Sequence, residues 1–138
     1  MYRKFLATML LAGALGAAGC DNTVEDATTP APPAPTTTDT FTGTINVNGA
    51  QTHTFNVAAS GPVTAALTEV LPDATIAVGL MLGNWNGTSC STVIANDNTI
   101  QGNAIVGVAS GIGTLCARIH DVGKLTAPLE YKLTVVHP

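Results

Sequence analysis

Charge is what this chain has least of. Five Lys and Arg and nine Asp and Glu are spread over 138 residues, so that only 10% of the chain is charged and the formal net charge is −4. So few basic residues, in an acidic chain, exclude a surface that binds nucleic acid or anionic lipid through charge alone. Helix formers such as Lys, Glu and Gln are scarce, and aromatics make up 4% of the chain. The surface must be carried by Thr, Asn, Ser and Gly, as suits an extracellular β-protein. No apolar run reaches the roughly 20 residues that a transmembrane helix needs. The length allows one domain with a stable core and no second one.

What is present begins with Met1-Tyr2-Arg3-Lys4, an apolar run from Phe5 to Ala18 broken by Thr8, and then Gly19-Cys20. A charged end, a short apolar segment and small residues at a cut are the order of a secretory signal, here over residues 1–19. Ala17-Ala18-Gly19-Cys20 resembles a bacterial lipobox, with Ala17 where Leu is usual. The resemblance implies that Cys20 is lipidated, becomes the new N-terminus and anchors the chain to a membrane of the bacterial cell envelope. An ordinary cleavage site beside a coincidental Cys is the competing reading.

Cysteine arithmetic weighs on the same side. An odd count of three, Cys20, Cys90 and Cys116, calls for an explanation of the unpaired one, and lipidation of Cys20 supplies it. Cys90 and Cys116 are then left to pair with each other, as expected outside the reducing cytosol. Because Cys116 alternates with Leu115 and Ala117, the bridge is expected outside the main core. Cleavage before Cys20 also removes Arg3 and Lys4, moving the formal charge from −4 to −6.

Residues 20–40 change in composition to Thr, Pro, Ala and acid, with Pro30, Pro32, Pro33 and Pro35 in quick succession. Such a stretch buries too little apolar surface to offset its ordering entropy and reads as a disordered tether. From residue 41 to 138 the pattern is alternation with period two, interrupted by Gly, Pro, Asn and Asp, which predicts an all-β, antiparallel, jelly-roll-like sandwich of about eight strands. The strands are expected at 41–47, 52–57, 63–70, 76–82, 92–95, 104–109, 114–119 and 131–136. Their inward residues are expected to be Phe55, Val57, Val63, Ala65, Leu67, Val78, Leu80, Leu82, Leu115, Ala117, Ile119, Tyr131, Leu133 and Val135.

Four stretches carry a family likeness: Thr52-His53-Thr54-Phe55-Asn56-Val57, the strand from Asp73 to Leu82, Gly113-Thr114-Leu115-Cys116-Ala117-Arg118-Ile119, and Tyr131-Lys132-Leu133-Thr134-Val135. With these, residues 41–138 resemble the bacterial pre-peptidase C-terminal domain family, which usually has Tyr at the place of Leu115 and often an aromatic at that of His53. The resemblance implies a non-catalytic accessory module, in a family associated with secretion, substrate retention and, in some members, binding of matrix polymers or calcium.

No nucleophile elbow surrounds Ser60, Ser89, Ser91 or Ser110, and no HExxH, P-loop or dinucleotide fingerprint occurs. His53, His120 and His137 are spread over three strands. His53 shares a face with Phe55 and Val57, which favours a half-buried structural imidazole over a catalytic one. Asn96, Asp97 and Asn98 are read as oxygen-bearing side chains in one turn, with Asp73 and Asp121 in other loops. Calcium takes such ligands, but turn formation explains the same residues. Trp85, flanked by Asn84 and Asn86, is expected in a loop at the sandwich end. It is either the contact for a glycan or protein ligand or a cap folded back over the core.

Overall fold

The computed structural model describes residues 32–138, and the proposed signal segment, Cys20 and the first part of the proposed tether lie outside them. Eight strands follow one another: β1 (Thr37–Ile45), β2 (Ala50–Val57), β3 (Gly61–Leu71), β4 (Val78–Trp85), β5 (Cys90–Thr99), β6 (Ala104–Ala109), β7 (Gly113–His120) and β8 (Leu129–His137). They form two four-stranded sheets, ordered β1-β8-β3-β6 and β2-β7-β4-β5, with every pair antiparallel. The nested pairs β1 with β8, β2 with β7, β3 with β6 and β4 with β5 are those of one long hairpin rolled up on itself, a jelly roll. The all-β sandwich expected from the alternation is present.

All the expected inward residues except Leu115 are buried, and Leu115 packs against the core half-buried. Alternation works here because each strand shows one face to the opposing sheet. Leu67, Leu80, Leu133 and Ile119 are completely inaccessible, and each contributes about 1.5–3 kcal/mol through its removal from water.

Strand ends depart from expectation for local reasons. β1 starts at Thr37 rather than residue 41, because Thr37 to Thr40 find partners in β8, from His137 to Thr134. It stops at Ile45, where Asn48 adopts a positive φ of 59° and Gly49 N–H bonds Asn46 O at 2.8 Å to close a turn. β4 runs on through Asn84 and Trp85, and β5 extends through Asn98, since the two continue to pair after their apolar alternation ends.

The disulfide joins Cys90 to Cys116. Between them lies β4, whose Gly83 has the Ser91 carbonyl where a Cβ would be. A register shift opposite Leu82 and Gly83 bends β5. The bare glycine lets the bent arm lean onto β4, leaving the Cys90 and Cys116 Cα atoms 5.8 Å apart. Cys116 is fully buried yet stands outside the core cluster, as its alternation with Leu115 and Ala117 predicts.

Candidate functional site

At the side of the sandwich where β5 and β6 form the sheet edges, the usual rule of polar residues outward fails. Val93, Val106, Val108 and Ile112 are 70, 55, 81 and 85% exposed. Each has a local cause. β6 keeps strict alternation, with Ile105 and Ala109 inward, so Val106 and Val108 must face out. Val93 is the extra residue of the β5 bulge, because the register steps from Ile94 to Thr92 while β4 advances by one. Ile112 sits in the turn between β6 and β7.

Beside Val93 and Val108 opens a groove floored by Val63, Leu82, Ile94 and Leu115, with Asn84 also on its wall, and Ile112 lines an adjoining hollow with Val93 and Val108. The groove's cavity volume is about 40 Å³, against the roughly 300–1,000 Å³ of pockets that enclose a small molecule. It accepts the end of one side chain, not a buried ligand. The surroundings are uncharged, since no Asp, Glu, Lys or Arg occurs between Asp73 and Asp97 or between Asp97 and Arg118. A contiguous apolar, uncharged patch on an acidic chain is the mark of a contact surface.

Of the three residues expected to touch a ligand, the structure brings only Asn84 to this groove. Trp85 is the last residue of β4, paired with Cys90 and half-buried, so it is not a free loop side chain. Asn86 organises its own hairpin. Its Oδ1 accepts from Thr88 N at 2.9 Å and Ser89 N at 2.8 Å, and its Nδ2 donates to Ser89 Oγ at 3.0 Å. An amide so engaged has little left for a ligand.

The calcium reading is corrected in its geometry. Asn96, Asp97 and Asn98 lie in β5, not in one turn, at a register shift between Val78 and Leu80. Asn96 Oδ1 accepts from Asn98 N at 2.9 Å, Asp97 stands 3.4 Å from His120 Nε2, and Asn98 Oδ1 lies 3.4 Å from Lys124 Nζ. Each of the three side chains thus has a partner of its own. Asp73 Oδ1 accepts from Thr75 N and Oγ1. Asp121 accepts the N–H groups of Asn48, Gly123, Lys124 and Leu125. Backbone donors hold both carboxyls below the usual range, Thr75 foremost for Asp73 and Asn48 foremost for Asp121. Among the described residues no group of three or more His, Cys, Asp and Glu side chains is placed to hold a metal ion.

The histidines are engaged separately. His53 Nε2 bonds the Tyr131 hydroxyl at 2.6 Å, and its ring stacks on Phe41 at 4.6 Å. Burial lowers the His53 pKa and pushes that of Tyr131 up to about 12. His137 is buried, bonded through Nε2 to Asp39 Oδ2 at 3.0 Å and tilted against Phe55. The sequence carries one sign of the apolar surface: Ala104-Ile105-Val106-Gly107-Val108-Ala109 has no polar residue on either face. A second concavity, beside Lys132, Glu69 and Glu130, has Lys132 bound to Glu69 at 3.0 Å. No protein-family model matches the chain, and no curated protein matches it either.

Proposed function

We propose that this chain is a non-catalytic binding module, exported as a lipoprotein and presented in the bacterial cell envelope on the Thr- and Pro-rich segment that follows Cys20. The observation that carries the binding role is the uncharged apolar patch of Val93, Val108 and Ile112 around the groove between β5 and β6. The partner is a protein or a glycan with an apolar face, held by surface contact, with the end of one side chain in the groove of about 40 Å³. The signal-like first nineteen residues and the likeness to pre-peptidase C-terminal domains support export and an accessory role. The separate engagement of His53 by Tyr131 and of His137 by Asp39 supports a role without catalysis.

A second reading is a structural envelope component with no ligand. It is favoured by the hairpin tip and the Asp121 turn, whose polar side chains are spent on their own backbone.

Amide chemical-shift mapping separates these readings, with chito-oligosaccharides, muropeptides and a short uncharged Val- and Leu-rich peptide as probes. Shifts confined to Asn84, Val93, Ile94, Val108 and Ile112 support the groove. Shifts centred on Trp85 and Thr88 move the contact to the hairpin tip. No shift with any probe at millimolar concentration favours the structural reading. For the anchor, Cys20→Ala should release protein from membranes, and an unmodified Cys20 in the intact mass of the mature chain would refute lipidation.

A further inference from the structure

The four sheet edges are β1, β6, β2 and β5, and two of them carry charges or register shifts that discourage strand addition. β1 has Asp39 and β5 has Asp97 and two register shifts, while β2 has neither charge nor bulge but turns the polar Thr52, Thr54 and Asn56 to solvent. β6 has none of these: its six residues are all apolar, none is charged or Pro, and its register with β3 is unbroken.

The direction of its free main-chain groups follows from one pair of bonds. Leu67 N donates to Asn103 O at 3.0 Å, and Leu67 O accepts from Gly102 N at 2.8 Å, so both polar groups of Leu67 face the β6 side. Stepping by two along β3, Ala65, Val63 and Gly61 face β6 as well, opposite Ile105, Gly107 and Ala109. The N–H and C=O groups of Val106 and Val108 therefore point away from β3, and no backbone partner meets them among the described residues.

We propose that β6 is a self-association edge, at which a second copy of this chain adds its own β6 antiparallel about a two-fold axis at Gly107. Val106-Gly107-Val108 reads alike in both directions, so the axis sets Val106 opposite the Val108 of the second copy, and the reverse. These pairs exchange four main-chain hydrogen bonds and stack two valine pairs on one face. Gly107 meets its own counterpart in the close, non-hydrogen-bonded pair, about 4.5 Å between Cα atoms.

Charge argues for a copy of the same chain. Each copy is acidic overall, yet the stretch from Asn98 to Ala117 carries no charge, so two copies meet here without repulsion. Pairing along one short strand is small beside the roughly 1,200–2,000 Å² of stable complexes, which makes the dimer reversible and concentration-dependent. The inference does not require the groove to have a ligand.

The test uses the full chain carrying Cys20→Ala, which leaves no unpaired native thiol. Sedimentation velocity should show a monomer–dimer equilibrium. Val108→Pro should raise the dimer dissociation constant about tenfold or more, by removing an outward N–H from each copy while sparing the β3 ladder. Val108→Lys should weaken the dimer similarly. Under mild oxidation Gly107→Cys should form a bridge at position 107 between copies. Its Cβ has only ordinary contacts, 3.8 Å from Ile94 and Leu82, and the paired Cα atoms lie within disulfide reach. Val106→Cys alone should not form one, whereas a mixture of Val106→Cys and Val108→Cys chains should. A chain that stays monomeric at millimolar concentration overturns the proposal. So does a dimer that Val108→Pro and Val108→Lys leave intact, or bridging equally efficient at 106 and 107.

Discussion

Gly79 and His120 face each other across the pair of β4 and β7, and the His120 imidazole fills the space a Gly79 side chain would take. A Cβ added at Gly79 would run into the ring itself. Gly79→Ala should destabilise the fold by about 1–3 kcal/mol through overpacking. Combining it with His120→Ala should recover most of that loss, giving a coupling of about 1 kcal/mol or more in a double-mutant cycle by urea unfolding. Additive single effects would show that the ring finds room elsewhere.

The bridge between Cys90 and Cys116 closes a separation of 26 residues. In the chain-entropy account this stabilises the fold by about 3 kcal/mol through the unfolded state. Cys90→Ala with Cys116→Ala should lower the urea midpoint accordingly, and wild-type protein under dithiothreitol should fall to the same value once reduced. Because Cys116 is fully buried, reduction should be slow in native buffer and fast in denaturant. Equal rates in both would contradict that burial.

Most of the architecture was legible because strand alternation reports burial directly. Phe55 and Val57, or Leu133 and Val135, each name the inner face of their strand. The boundaries were less legible, since Thr37 to Thr40 become strand through partners in β8 almost a hundred residues away, which local composition does not encode. The same limit misplaced Asn96 to Asn98, read as turn formers but held in β5 by pairing with β4. Trp85 stood out by residue type, whereas the exposed Val106 and Val108 look like ordinary strand residues until β6 is known to be an edge.

The bond between His53 and Tyr131 joins the two sheets, β2 to β8, and it carries a pH signature. Burial lowers the His53 pKa below its ordinary 6.5. The unfolded chain therefore takes up this proton first as the pH falls, and stability should decline from about pH 6.5. Tyr131 is raised from 10.0 to about 12, so its contribution is full below about pH 10 and is lost as the pH rises toward 12. Stability should thus show a plateau between these limits. His53→Gln should remove the acid-side decline attributable to this ring, and Tyr131→Phe the alkaline one, in urea midpoints taken across pH. A His53 pKa at or above 6.5 by NMR titration would contradict the burial argument.

Asn84 and Asn86 flank the same Trp, and the structure gives them opposite roles. Asn86 holds the hairpin tip, accepting the N–H groups of Thr88 and Ser89 on one carbonyl oxygen. Asn86→Ala removes that acceptor and should cost about 1 kcal/mol, as loss of a capping side chain does elsewhere. Asn86→Asp keeps the oxygen and should restore most of the stability. Asn84 is exposed on the groove wall, so Asn84→Ala should change stability by less than about 0.5 kcal/mol. Its effect should fall instead on binding of any probe that shifts Val93 and Val108. If Asn86→Ala leaves the melting temperature unchanged and abolishes binding of such a probe, the hairpin tip is the contact surface and the groove is not.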